Sequence, residues 1–235
     1  MSVIKIGQTA ALTGELVETM RFELTSVRKT PTGAHIKTGD VRRISASLFT
    51  RVKSLPPYQI FEICEGLLEQ RDWALGVAAY DFAYRIRKQY DENAFNIFEN
   101  WLVNYVRGWG DCDDFCTHAF GALIYQNIEL AEKTVEWTKR DEFWMRRAAA
   151  VILIPSIKRG MYRQVNPLRI SDILMNDEHD LVRKGYGWML KELSEEEPEL
   201  VYEYLKSNYA TMPRVAFRYA LEKLAPEQKK RLMSL

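Results

Sequence analysis

Asp72 to Tyr90 reads DWALGVAAYDFAYRIRKQY. An aspartate opens the stretch, apolar residues return every three or four positions, and Ala78 and Ala79 sit near its middle. This is the spacing of an amphipathic helix with a capped start. The pattern comes back three times. GDCDDFCTHAFGALIYQ from Gly110, WMRRAAAVILIPSIKRG from Trp144 and LVRKGYGWMLKEL from Leu181 start 38, 34 and 37 residues after the unit before. Each keeps small residues mid-helix, Ala148–Ala150 and Gly185/Gly187 among them, where a neighbouring helix can come close. One such unit cannot bury its own apolar face, so units of this length with two helices each are expected to stack. The expected fold is all-α, a right-handed superhelix of stacked antiparallel helix pairs, with residues 1–235 forming one repeat domain. An ordinary helical bundle is the plainer alternative.

Working outward, helical periodicity also marks YQIFEICEGLLEQ, NAFNIFENWLVNYV, IELAEKTVEWTK, MRRAAAVILIPSIKRG and LVYEYLKSNY. Breakers separate them: SLPP at Ser54–Pro57, GWGD at Gly108–Asp111, Asn166–Pro167, Pro198 and Pro213. The first residues look helical as far as KTPTGAHIKTGD, Lys29 to Asp40, which reads as a loop. Strand signals are nearly absent, with no Asn-Gly or Asp-Gly hairpin turn.

Composition excludes several classes. With 235 residues, 47% of them apolar, the chain can bury a sizeable core. No window approaches 18 uncharged apolar residues, so a membrane span is not expected. Three cysteines and no leader-like start point to a reducing cytoplasm. Net charge is +1 and names no partner, but its distribution is uneven. Between Arg140 and Lys191 ten basic residues face six acidic ones, and compensating acid lies in ELSEEEPELVYE from Glu192. In a stack, matching positions of successive units line one face. A basic groove is therefore expected from Arg146, Arg147, Lys158, Arg159, Arg183, Lys184 and Lys191. Solvated helix faces are the alternative for the same charges.

The stretch GWGDCDDFC, Gly108 to Cys116, carries chemistry in one of three ways. Cys112 and Cys116 with His118 suggest metal ligands, but no second Cys/His pair exists to complete a structural zinc site, and buried thiols at helical spacing are the better reading. Asp111 or Asp113 suits a cap for the helix running through FCTHAFGALIYQ. One aspartate suffices for a cap, whereas three occur here within four residues. Like charges so close need a partner, a basic side chain or a cationic ligand.

GWGDCD, FWMRRAAAVIL and RKGYGWMLKEL, in this order, resemble three signatures of the bacterial DNA alkylation repair family of HEAT-like repeats, the AlkD-type alkylpurine DNA glycosylases. IKTGDVRRIS resembles its early Arg-Arg segment, with Gly39 where that family typically has proline. The similarity runs from about Ile36 to about Leu224. It implies hydrolysis of the N-glycosidic bond of positively charged N3- or N7-alkylated purines in duplex DNA, as a step of base-excision repair. It implies neither metal nor organic cofactor, no membrane, and no obligate protein partner. The family's active-site tryptophan and aspartate fall on Trp109 and Asp113, its arginine on Arg147 with Arg146 beside it, its second tryptophan on Trp188, and a DNA-touching basic residue on Lys191.

Each implied role has a physical basis. Loss of a cationic base leaves an oxocarbenium-like sugar that a carboxylate, Asp113, stabilises. Indole faces of Trp109 and Trp188 favour the same positive charge. Arg147 would hold a backbone phosphate, fixing register without reading sequence. The competing readings are packing for the tryptophans, a cap for Asp113, and a surface arginine paired with Asp141 or Glu142 for Arg147. Whether Asp111 or Asp114 assists Asp113 is left open by spacing alone. Two other functions stay in view: a non-catalytic paralogue gripping distorted or branched DNA, and a helical scaffold for proteins.

Overall fold

The structure is a computed structural model and describes residues 6–28 and 36–235. Its contacts gather into two compact units, Met1–Tyr105 and Val106–Leu235. Every regular element among the described residues is helical, in keeping with the missing strand signals.

The first unit contains α1 (Ile6–Arg28), α2 (Thr38–Phe49), α3 (Pro57–Leu68), α4 (Trp73–Arg85) and α5 (Ala94–Asn104). Asp72 caps α4, its carboxylate accepting the N–H groups of Ala74 and Leu75 at 2.9 and 3.1 Å. Pro57 opens α3, where a missing N–H costs nothing. The α2, α3 and α4 faces close over Val41, Ile44, Ile60, Ile63, Leu75 and Ala79, all buried. Phe61 stands edge-on to Phe98 and Trp101, which fastens α5 to α3. Of the expected Lys29–Asp40 loop, residues 29–35 lie outside the described residues. Thr38 to Asp40 instead form the first turn of α2, because the Asp40 carboxylate accepts the Lys37 N–H at 3.3 Å and starts the helix.

The second unit runs through α6 (Trp109–Thr117), α7 (Ala119–Gln126), a 3₁₀ run (Ile128–Lys139), α8 (Phe143–Val151), α9 (Ile154–Ile157), α10 (Tyr162–Val165), α11 (Pro167–Leu174), α12 (Asp180–Glu196), α13 (Pro198–Asn208), α14 (Arg214–Ala220), a short 3₁₀ turn (Leu221–Lys223) and α15 (Pro226–Met233). At its centre is α12, packed against α8, α9, α11, α13 and α14. Gly187 permits the closest of these approaches. A Cβ there would lie 2.8 Å from Tyr219 Cβ and 2.9 Å from the Ala216 carbonyl on α14.

Three segments depart from the sequence reading. FCTHAFGALIYQ is not one helix, since at His118 the backbone turns (φ −119°, ψ −96°) and α7 starts afresh. Gly121 makes that break possible, because a Cβ would stand 2.3 Å from the Cys116 carbonyl. IELAEKTVEWTK winds as a 3₁₀ helix, with the Thr134 and Thr138 hydroxyls donating to the carbonyls of Ala131 and Val135 three residues back. MRRAAAVILIPSIKRG is interrupted after Val151, where Pro155 has no N–H to return to the preceding turn. It ends at Gly160, whose φ of 72° suits glycine.

Candidate active site

Helix α6 begins one turn earlier than the breaker reading of GWGD implies. Gly108, with extended backbone, is its N-cap and Trp109 its first residue. This corrects the capping assignment for Asp113, which sits mid-helix where the N–H groups are already paired. Asp111 does lie in the first turn. Burial pushes its carboxyl pKa up, with a backbone N–H at Arg107 acting the other way.

The partner demanded by the aspartate cluster is Arg147. Its Nε and Nη2 donate to Asp113 Oδ1 and Oδ2, both at 2.7 Å, a two-pronged pair between α6 and α8. Its Nη1 donates to the Leu181 carbonyl at the start of α12. The guanidinium reaches that carbonyl by lying across Gly185, where a Cβ would come within 3.0 Å of Arg147 Cγ. Only 6% of the Arg147 side chain is exposed, against 17% of Asp113. Burial disfavours the guanidinium charge, but the Asp113 carboxylate outweighs it and the Arg147 pKa is pushed up. A carboxylate has about four lone-pair directions and Arg147 takes two, so the exposed edge of Asp113 keeps acceptor capacity.

The two tryptophans flank this pair along their own helices. Trp109 precedes Asp113 by four residues on α6, which puts both on one side of the helix. It is 56% exposed. Trp188 follows Gly185 by three residues on α12, so it shares the face over which Arg147 lies. It is half-buried, and its Nε1–H donates to Glu192 Oε1 at 2.8 Å. The Glu192 side chain is 8% exposed, and Lys158 Nζ lies 2.7 Å from its Oε2.

The remaining cations are mostly engaged. Arg146 pairs with Asp177 at 2.5 Å and donates to the carbonyls of Arg140 and Asp141, tying down the turn before α8. Arg183 bonds the Asp177 carbonyl at 2.6 Å and Asp180 at 3.4 Å, and Lys191 pairs with Glu222. Arg159 donates to the Pro155 carbonyl and lies 3.7 Å over the Tyr125 ring. Lys184, half-exposed on the Trp188 side of α12, makes no ion pair among the described residues. Cys112 and Cys116 are buried free thiols. Cys112 donates to the Trp144 carbonyl at 3.4 Å, and burial drives the Cys116 pKa upward.

Sequence reasoning missed Glu192 and Asp177, the buried acceptors for Trp188 and Arg146. The i, i+4 spacing of Trp188 and Glu192 was a usable signal. Nothing local marks Asp177 as the partner of Arg146, since the two are 31 residues apart.

None of the curated proteins matches this sequence significantly. In fold, the chain resembles a protein described as a predicted DNA alkylation repair enzyme from Enterococcus faecalis, at 17% identity with a TM-score of 0.71, covering 96% of this chain and 99% of that one. It also resembles AlkD2 from Streptococcus mutans, at 18% identity with a TM-score of 0.62, covering 87% of this chain and 99% of the other. These likenesses support an all-helical repeat fold. Residues 34–224 match the family described as DNA alkylation repair enzyme, a span containing every candidate site residue. The chain belongs to the DNA alkylation repair enzyme family.

Proposed function

We propose that this protein hydrolyses the N-glycosidic bond of positively charged N3- or N7-alkylated purines in duplex DNA. The observation that supports it is the Asp113 carboxylate, held from two sides by Arg147 and partly open, one helical turn from the exposed indole of Trp109. In the reaction the C1′–N bond breaks and its electron pair goes to the purine nitrogen, cancelling the charge on the alkylated base. Positive charge moves to the sugar, where Asp113 stabilises it across a short distance and a partly dry surface. Water then adds at C1′ and gives up a proton, which Asp113 accepts through the lone pairs that Arg147 leaves open. Trp109 and Trp188 lay indole faces against the sugar and its charge. A cationic base leaves readily, so no strong general acid is called for.

Arg147, nine-tenths covered and bonded to Asp113 and Leu181, acts in this scheme by aiming the carboxylate. Contact with phosphate falls to Lys184. A duplex is bound through its backbone without sequence readout.

The Asp113–Arg147 pair also favours one rival, because a carboxylate already matched by a guanidinium serves equally well to brace a binding groove without chemistry. One assay separates the two. Purified protein is incubated with methylated duplex DNA and the released base is measured, beside Asp113→Asn. The expected outcome is release by the unaltered protein and a loss of at least about 100-fold in the variant, with duplex affinity retained. No release by the unaltered protein favours the binder, and undiminished release by the variant removes Asp113 from the mechanism.

A further inference from the structure

The Trp188 indole does not stand alone. Its N–H is given to a carboxylate, Glu192 Oε1 at 2.8 Å, and that carboxylate is buried to all but 8% of its side chain. Buried carboxylates are uncommon and need matched partners. The partners here are the indole N–H, hydrogen-bonded to one oxygen, and Lys158 Nζ, ion-paired 2.7 Å from the other, which accepts no hydrogen bond among the described residues. Lys158 follows α9 directly, and its side chain is 54% exposed, so the cation sits on the solvent side and the carboxylate between it and the ring. Glu192 thus has one oxygen toward a partly exposed cation and one toward the indole N–H.

Two physical effects follow. An N–H bonded to an anion is stronger and more directional than one bonded to a neutral acceptor, so the plane of the ring is fixed. An N–H that leans on a negative oxygen also pushes electron density into the ring, deepening the negative potential over its faces. A face of that kind attracts cations more strongly. A ring with apolar packing alone needs neither effect, and a glutamine at position 192 would satisfy the same N–H without a buried charge.

We propose that Glu192 is a positioning residue for the glycosidic reaction. It orients the Trp188 ring and makes its face more attractive to the positive charge that develops on the sugar, with Lys158 balancing the carboxylate. This rests on the proposed glycosylase function and deepens it. The effect is selective for charge: Glu192 strengthens the step in which the cation forms and contributes little to holding undamaged duplex.

The full-length protein is compared with Glu192→Gln, Trp188→Phe and the double variant. Glu192→Gln keeps the shape and a hydrogen-bond acceptor, so folding is preserved and is checked by thermal melting. Single-turnover base release from methylated duplex is expected to fall about five- to tenfold in Glu192→Gln, with affinity for undamaged duplex within about twofold of the parent. In the Trp188→Phe background, which has no N–H to give, the same substitution is expected to change the rate less than about twofold. Equal losses in both backgrounds, or no loss in the first, overturn the proposal. A second readout needs no activity. The Trp188 indole N–H resonance, identified by its disappearance in Trp188→Phe, is expected to move upfield in Glu192→Gln as the charged acceptor is lost. If that resonance does not move, Glu192 does not act on the ring. If it moves while the parent releases no base, the glycosylase reading fails and the Glu192–Trp188 contact stands.

Discussion

At the scale of single residues, Arg147 differs most from what its position in the chain suggests. An arginine before a small-residue helix reads as a phosphate ligand, and in the fold its donors go to Asp113 and the Leu181 carbonyl. Both members of the pair are largely shielded from water, so removing one leaves the other buried without its counter-charge. Arg147→Ala is expected to cost about 3–5 kcal/mol of stability, measured by urea unfolding, and to leave the salt dependence of DNA binding unchanged. A loss below about 1 kcal/mol would mean that the pair is an exposed one. The candidate site residues could be picked out in the sequence because GWGDCD and FWMRRAAAVIL are local motifs. Their pairing was not, since Asp113 and Arg147 are 34 residues apart and chain distance carries no sign of which carboxylate an arginine meets. What could be read was the need: three aspartates in four positions require a cation.

At the scale of elements, helix existence was legible and helix ends were less so. Period and proline placement located α3, α4, α5, α12 and α13, whose apolar faces are long enough to show 3.6-residue spacing. The break at His118 and the 3₁₀ run at Ile128–Lys139 were hidden because both keep helix-like spacing while tertiary packing selects the winding. Glycines at helix contacts are better guides. Gly187→Ala is expected to destabilise by about 1–3 kcal/mol, because the new methyl meets Ala216 backbone and Tyr219, and this exceeds the roughly 1 kcal/mol gained in helix propensity. Gly76→Ala, on α4, meets only Leu68 at 4.0 Å and is expected to stabilise by about 0.5–1 kcal/mol. Melting curves of the two variants should move in opposite directions.

At the scale of the whole molecule, near-neutral charge carries through to the surface. The cation-rich half of the sequence pairs Arg146, Lys158, Arg183 and Lys191 with carboxylates, so the expected basic groove is largely discharged within the fold. Reading charge from sequence counts ions and misses their partners, many of them 28 or more residues away. A shallow salt dependence of duplex affinity follows, with a slope of log K against log salt of about −3 or less in magnitude. Lys184→Ala should flatten it further by about one unit, as a cation with no internal partner. A steep slope that Lys184→Ala leaves intact would place the phosphate contacts on other residues.

The clasp of one guanidinium around three helices carries a further consequence. Because Arg147 joins α6, α8 and the first turn of α12, the group that sets the direction of Asp113 is also a rivet of the surrounding frame. Substitutions that free the carboxylate for faster chemistry weaken the scaffold at the same stroke. Variants selected for speed at this position would then be heat-sensitive unless a compensating change arises elsewhere in the second unit, and that coupling constrains how far the site can drift.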